Sequence, residues 1–489
     1  MTSSDEPTGT DSTPATVIGA PGPTPTRPAE LPDTVGELRA SGHTYRDVAA
    51  EMRENLLARM RSGLPRFPGI VGFDETVLPE LERALLAGHD VVLLGERGQG
   101  KTRLIRTLVG LLDEWSPAIA GSEVNEHPYA PFTVASLRRG RELGDDLPIT
   151  WRHRSERYAE KLATPDTSVG DLIGDVDPVR VAEGRSLGDP ETVHYGLVPR
   201  TNRGIFAVNE LPDLAERIQV SLLNVLEERD IAIRGYSLRL PLDLLVVASA
   251  NPEDYTNRGR IITPLKDRFG AEIRTHYPLD LADEVDLVRQ EAAPVATVPE
   301  HLLAVLARFT RAVRESPSVD ARSGVSARFA IAGAETVGAG ALRRGALTGE
   351  DAPVARVGDL PAVVSTLRGK VEFESGEEGR EEELLSHLLR LAIVETYRDL
   401  LAGMDLSAFA AAFADGKVVH AGELTGSEPL LAAVGPVPGL AKVITALGFD
   451  DAAGPAEAAS ALEFVLESLH LTRRLSKLTD PDGRTVYRT

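Results

Sequence analysis

The residues Gly95-Glu96-Arg97-Gly98-Gln99-Gly100-Lys101-Thr102 fit the pattern G-x-x-x-x-G-K-[ST]. Glycines at this spacing let backbone N–H groups converge on a β-phosphate, and a helix opening at Lys101 adds the positive end of its dipole. Lys101 would reach the β- and γ-phosphates, and the Thr102 hydroxyl would ligate Mg²⁺. The pattern by itself arises by chance. Here it follows directly on the apolar run Val91 to Leu94 and opens a helical pattern, which is the context that phosphate binding requires. The expected cradle for ATP and Mg²⁺ therefore runs from Gly95 through Arg103.

A second stretch, GIFAVNELPDL at 204–214, ends an apolar run in Asn209-Glu210. A nucleotide hydrolase holds its metal and its attacking water where a buried strand ends in two acids. Here the first of the two is an amide. Asn209 keeps the shape and one acceptor oxygen of aspartate but lacks the charge, so weaker Mg²⁺ retention is expected, with Thr102 and the phosphates still binding the ion. Glu210 keeps the role that bears most on rate, orienting the attacking water or taking its proton. Its plain alternative is an acid at a helix N-terminus.

Three further polar residues follow. LLVVASANPED puts Asn251 just past another apolar run, where it would help position the water beside Glu210, or else serve as a turn residue before Pro252. PLKDRFGAEIR offers Arg268, as a finger aimed at a neighbouring subunit's γ-phosphate or as a surface arginine paired with Asp267. GVSARFAIAG places Arg328 at the start of a helix, where it would fold a lid over the nucleotide. Arg322 competes for that role, and an ordinary surface arginine is the remaining alternative.

These residues need a scaffold that brings strand ends together. Apolar runs at 91–94, 131–135, 204–208, 244–249 and 271–276, with helical patterns between most of them, predict a five-stranded parallel sheet covered on both faces. Upstream, Val48, Met52, Leu56 and Met60 share one face of a helix, and Gly88 closes the next. From about 298 the strands stop. The expected organisation is a disordered tail over 1–33, an N-terminal helix over 34–64, an α/β nucleotide-binding core over 65–285, a helical lid over 286–372 and a helical extension over 373–489. The acidic stretch EFESGEEGREEE reads as a solvated linker and helix start. VGDLIGDVDPV, from Val169 to Val179, reads as a loop short and mobile enough to act as a lever, or as an inert surface connection.

Composition narrows the function classes. A net charge of -21 opposes a general grip on phosphate backbones, so nucleic acid is not an expected partner. Without cysteine there is no disulfide, thiolate zinc site or thiol nucleophile. No apolar run approaches the roughly 20 residues that cross a bilayer, and the first residues resemble neither a secretory signal nor a transit peptide. A cytoplasmic protein without membrane insertion is expected. WRHRSERY at 151–158 mixes aromatic and basic residues but reads as a solvated helix face. His153, His194 and His276 show no metal-ligand spacing and are expected to be structural or surface residues.

Taken together, the chain resembles AAA+ ATPases, and in particular the ATPase subunit of magnesium chelatase and the MoxR-type ATPases. FPGIVGFDE, VGDLIGDVDPVRVAEG with HYGLVPRTNRGIFAVNE, ERDIAIRGYSLRLPLDLLVVASANPED and PLKDRFG carry the likeness over roughly residues 65 to 340. They correspond to the segment before the P-loop, an insertion in helix 2, a hairpin before the sensor-1 strand and the arginine-finger motif. The resemblance implies an ATP-hydrolysing homo-oligomeric ring, commonly a hexamer, with ATP between subunits. It also implies a partner carrying a von Willebrand factor A domain and a role as a remodelling chaperone or chelatase-like motor. Asn209, an insertion over 136–168 and the long C-terminal extension depart from the family's pattern. The alternative is a nucleotide-switched scaffold with little turnover. A DNA-directed activator of the sigma-54 type is disfavoured because no GAFTGA loop is present.

Overall fold

The computed structural model describes residues 24–176, 193–231, 240–251, 260–320, 324–374, 376–377, 379–401, 403–411, 417–450, 452–479 and 485–488. Its first half carries strands β1 (Val91–Leu94), β2 (Trp115–Ile119), β3 (Ile149–His153), β4 (Tyr158–Leu162), β5 (Gly174–Val176), β6 (Val193–Tyr195), β7 (Gly204–Asn209), β8 (Leu244–Ala250) and β9 (Ala271–Arg274). One parallel five-stranded sheet has the spatial order β4-β7-β8-β1-β9. Alternate residues of its strands enter opposite cores. Val91, Leu93, Ile205 and Ala207 pack with Val48, Met52 and Leu56 of the helix Val48–Ser62. Val92, Leu94, Phe206 and Val208 pack with Ile218 and Leu222 of the helix Glu216–Glu227. Both faces are apolar, which is why these strands read as unbroken hydrophobic runs.

One expected strand is misplaced. Residues 131–135 are loop and the start of the helix Val134–Leu143, and the remaining strand of the sheet is β4, inside the stretch that read as an insertion. As an edge strand β4 pairs on one side only, and its residues are half-buried or exposed. Polar Glu160 and Lys161 are therefore tolerated there, and no apolar run marks the strand. WRHRSERY is likewise not a helix face. It is the end of β3, a tight 3-10 turn over Arg154–Arg157 and the first residue of β4.

The N-terminal segment is more ordered than its composition suggests. Trp151 Nε1 donates to Pro32 O at 2.7 Å, Ile149 N to Asp33 O at 2.9 Å, and Arg27 pairs with Asp33 at 2.7 Å. Residues 24–33 are thus anchored beside the β2–β3 ribbon, and 1–23 lie outside the described residues. The single helix expected over 34–64 is two helices, Val35–Ala40 and Val48–Ser62. Gly42 breaks them with φ +77°, and the Asp47 side chain caps the second by accepting from Ala50 N. The segment from Val169 is, over its described part, a turn of helix opened by a Ser168/Asp171 capping box and then β5, which pairs with β6. Its last residues, most of the hairpin expected before β8, and Arg322 lie outside the described residues.

The C-terminal half also differs from expectation. Strands do return: β10 (Val419–Ala421), β11 (Ser476–Thr479) and β12 (Thr485–Arg488) form an antiparallel sheet in the order β10-β12-β11. A single apolar cluster runs from Val285 to Tyr487, so the division expected at 372/373 has no gap in packing. Helix Glu300–Glu315 packs on helix Glu381–Leu401, and helix Pro455–Leu471 is buried along most of its length. Among the described residues no helix is long and apolar enough to cross a membrane.

A buried ion pair ties the N-terminal helix to the sheet's edge. Arg157 donates to both carboxylate oxygens of Glu51, at 2.6 and 2.7 Å, and to Arg203 O at 2.7 Å. Glu51 also accepts from Asp113 N at 2.6 Å. Arg157 and Glu51 are 1% and 2% exposed, so each is tolerable only in the presence of the other. Glu51→Ala is expected to lower the free energy of unfolding by about 3–5 kcal/mol, because it strands a guanidinium in the interior. Urea titration followed by tryptophan fluorescence checks this, since both tryptophans, Trp115 and Trp151, lie in the adjoining ribbon.

Two imidazoles set a pH dependence. Burial, reinforced by Arg203, His43 and Arg157, pushes His127 down to about 3. Burial between Phe449 and Phe464 pushes His301 down to about 3 as well. Both rings stay neutral in the native state below the ordinary value of 6.5, while the unfolded chain takes up protons there. Stability is therefore full above about pH 6.5 and falls as pH drops towards 3, by about 1.4 kcal/mol per pH unit for each ring. Unfolding free energies measured between about pH 7 and pH 5 are expected to decline. His127→Gln flattens the slope.

Candidate functional site

The sheet register aligns the C-terminal ends of three neighbouring strands. Val208 stands beside Ala248 and Leu94 beside Ala250, so Asn209-Glu210, Asn251 and the loop after Leu94 emerge from one edge. Open parallel sheets bind ligands at that edge, because the helices that follow their strands begin there.

The loop after β1 is held by close approach. Gly95 N donates to Ala250 O at 3.1 Å, and a Cβ on Gly95 would lie 2.0 Å from Thr275 Oγ1 and 2.2 Å from Gln99 Oε1. Gln99 Oε1 accepts from that same Thr275 hydroxyl at 2.8 Å. Gly98 and Gly100 are left-handed, with φ +77° and +78°, a conformation that costs other residues roughly 1–2 kcal/mol. Gly100 is the N-cap of the helix Lys101–Thr107, whose first turn presents half-buried Thr102 and Arg103. Arg103 pairs with Glu291 at the end of the helix Leu281–Glu291, and a Cβ on Gly69 would meet its guanidinium at 2.9 Å.

The lysine, the amide and the acid predicted from sequence do come together. Lys101, 6% exposed, donates to Glu96 O and to Asn251 Oδ1, each at 2.8 Å, and also to Gly95 O. Asn251 Nδ2 donates to Glu210 Oε2 at 3.1 Å. Asn251 is thus the bridge between the ammonium and the carboxylate. Glu210 itself is left-handed, φ 55° and ψ 48°, and its backbone N donates to Ser249 Oγ at 3.3 Å. A non-glycine residue in this region costs of order 1–3 kcal/mol and concentrates at working sites.

Asn209 sits one residue back and is 6% exposed. Its Nδ2 donates to Glu160 Oε1 at 2.5 Å, and its Oδ1 accepts from Ser249 Oγ at 3.2 Å. Glu160 also accepts from Arg106 and from the Tyr158 hydroxyl, the latter at 2.8 Å. Burial pushes the Glu160 carboxyl up, but its donors from Arg106, Tyr158 and Asn209 outweigh burial and hold it below the usual carboxylate range. Thr102, Asn209 and Glu210 carry hard oxygens, the ligand type that suits Mg²⁺. The glycine conformations and the dipole of the helix Lys101–Thr107 suit phosphate.

The lid reaches the loop directly. A Cβ on Gly98 would lie 2.0 Å from Ser326 Cβ; from the α/β unit itself, the Tyr277 hydroxyl, in the loop after β9, donates to Arg97 O at 2.7 Å. Ser326 caps the helix Ala327–Thr348, so exposed Arg328 stands in the first turn of the element that touches the loop. Arg268 is not in the Lys101–Asn251–Glu210 cluster. It ends the helix Thr263–Arg268, pairs with Glu227 rather than Asp267, and donates to Pro264 O at 2.8 Å. Glu160, Ser249, Thr275, Tyr277 and Ser326 were not singled out from the sequence. Each acts through a tertiary contact, although Ser249, Ser326, Thr275 and Tyr277 stand within two residues of Asn251, Arg328 or His276. Among the described residues no group of histidine and acid side chains has a metal-binding arrangement of its own, and His153, His194 and His276 are spread over β3, β6 and the loop after β9.

The sigma-54 interaction domain family matches residues 183–268, a span that holds Asn209, Glu210, Asn251 and Arg268 but not the glycine-rich loop. Magnesium-chelatase subunit ChlI of Nostoc sp. is 29% identical over 232 residues, 46% of this chain and 58% of that protein. The ChlI subunit of Chlorella vulgaris is 31% identical over 247 residues, 49% of this chain and 65% of that protein. The chain therefore spans less than two thirds of either relative. A solved structure modelling the complex between subunits BchI and BchD of magnesium chelatase aligns at 21% identity, over 67% of this chain and 94% of that one, with a TM-score of 0.33. The chain thus has the parallel five-stranded sheet and glycine-rich loop of a P-loop fold, and over about half of its length it is similar to magnesium-chelatase subunits ChlI.

Proposed function

We propose that this protein binds and hydrolyses ATP as a ring-forming motor of the magnesium-chelatase I type. The observation that carries the reading is the hydrogen-bonded series Lys101–Asn251–Glu210 at the mouth of the glycine-rich loop. In this reading the backbone amides of 95–102 and Lys101 hold the phosphates, and Thr102 and Asn209 hold Mg²⁺. The ion, when bound, neutralises charge developing on the transferred phosphoryl group. Glu210 orients the attacking water and takes its proton, and Asn251 fixes the carboxylate. Arg328, in the first turn of the helix that touches Gly98, approaches the nucleotide within the same subunit. Arg268 acts on the nucleotide of a neighbouring subunit, which requires it to leave Glu227 on assembly.

Hydrolysis would then drive movement of the lid, which already contacts the loop through Ser326. A homo-oligomeric ring, commonly a hexamer, working on a client with a partner that carries a von Willebrand factor A domain is the assembly this reading proposes, within the cytoplasm. Chaperone-like remodelling, as in MoxR-type proteins, suits the chain better than porphyrin metallation, because the C-terminal half carries a long extension fused into the lid's core. A second reading, a nucleotide-switched scaffold with little turnover, is favoured by one observation, the amide at 209. The span matched by the sigma-54 interaction domain contains no GAFTGA sequence, so sigma-54 activation is not proposed.

Steady-state phosphate release separates the two main readings. The full chain is expected to turn over ATP, and Glu210→Gln is expected to slow it by about 10²–10⁴-fold while nucleotide still binds. A wild-type rate no faster than that of Glu210→Gln, with nucleotide bound in both, selects the scaffold.

A further inference from the structure

Asn209 has a partner that changes the meaning of its missing charge. Glu160 lies on β4, beside β7, and its Oε1 accepts from Asn209 Nδ2 at 2.5 Å. An ionised carboxylate only accepts, so the amide has a single satisfying orientation: nitrogen towards Glu160, oxygen towards the Ser249 hydroxyl at 3.2 Å. An aspartate at 209 would press a second carboxylate against the first at this separation. The amide is therefore the complement of an acid on the next strand. Glu160 is held in place by Arg106 and by Tyr158, and Arg106 belongs to the helix Lys101–Thr107 that follows the glycine-rich loop. In that ion pair the guanidinium side chain is 49% exposed and the carboxylate side chain 19%, so the negative end is the one turned inward, towards Asn209.

We infer that Glu160 and Asn209 form a transposed acid–amide pair, in which Glu160 positions the Asn209 oxygen and supplies the negative charge for the divalent cation bound with the nucleotide. The inference rests on the nucleotide site proposed above. It makes Glu160 a positioning residue: its charge acts across the amide, and its hydrogen bond fixes which end of that amide faces the cation. Net charge over the two positions equals that of an aspartate at 209 with a glutamine at 160, which makes the pair exchangeable in principle.

Binding of a fluorescent ATP analogue to the full chain, titrated with Mg²⁺ and repeated in EDTA, tests the pair without reference to turnover. Glu160→Gln is expected to raise the half-saturating Mg²⁺ concentration about tenfold, the worth of one charge-assisted interaction, with binding in EDTA unchanged. The double variant Glu160→Gln/Asn209→Asp is expected to restore the wild-type Mg²⁺ dependence, because it returns the charge to β7. Thermal melting of both variants is read alongside. An unchanged Mg²⁺ requirement in Glu160→Gln overturns the inference and leaves the nucleotide site standing. So does failure of the double variant to restore it, or a loss of melting temperature common to both variants that accounts for the weaker binding. A wild-type chain that takes up no nucleotide, with or without Mg²⁺, removes the nucleotide site itself, and the inference falls with it.

Discussion

The ammonium of Lys101 is buried, and burial of a cation is tolerable only where acceptors surround it. That requirement organises the site. Gly95 O and Glu96 O come from a loop whose glycine conformations no other residue adopts cheaply, and Asn251 Oδ1 comes from the end of β8. Because Asn251 also donates to Glu210, the charge at the start of the loop's helix and the acid just past β7 are coupled through one amide. The left-handed backbone at Glu210 is the local cost of aiming that acid at the same point. A ligand that draws Lys101 away from its present acceptors must also act on Asn251 and hence on Glu210. Occupancy of the loop by any such ligand and placement of the carboxylate are therefore not independent variables here.

The same logic extends outward from β7. Asn209 is satisfied by Glu160 on one side and Ser249 on the other, so three adjacent parallel strands, β4, β7 and β8, contribute to one polar row behind the loop. Arg106 connects that row to the loop's own helix. On the opposite side Thr275 and Tyr277, at and beyond the end of β9, hold Gln99 and Arg97. The loop is thus gripped from both flanks of the sheet, and from above by Ser326 against Gly98. This last contact joins the α/β unit to a C-terminal half that shares one apolar core from Val285 to Tyr487. Motion transmitted through Ser326 reaches a large packed body rather than a small detached lid, because such cores shift as units.

Much of this was legible in the chain itself. Three strands of the central sheet, β1, β7 and β8, announce themselves as nearly unbroken apolar runs, since a strand covered on both faces leaves little room for polar residues, whereas the edge strand β9 alternates. Gly95, Gly98, Gly100 and Lys101 are legible because the backbone conformation and the charge they provide depend on residue type and local spacing alone. The ends of the apolar runs then point to Asn209, Glu210 and Asn251. Arg268 and Arg328 are identifiable only as arginines at helix ends. Their roles depend on which surface they face, and a neighbouring subunit decides that for Arg268.

The sequence by itself determined the chemistry available at 95–103, 209–210 and 251, because local spacing sets where a strand ends and a helix begins. Only the tertiary structure decided what those groups meet. β4 was hidden because an edge strand needs no apolar run, and with it Glu160, whose importance is a contact across strands far apart in the chain. The ordered residues before Val35, the sheet of β10–β12 and the single C-terminal core were hidden for a related reason. Each depends on surfaces supplied by distant segments, and periodicity along one segment carries no record of what will cover it.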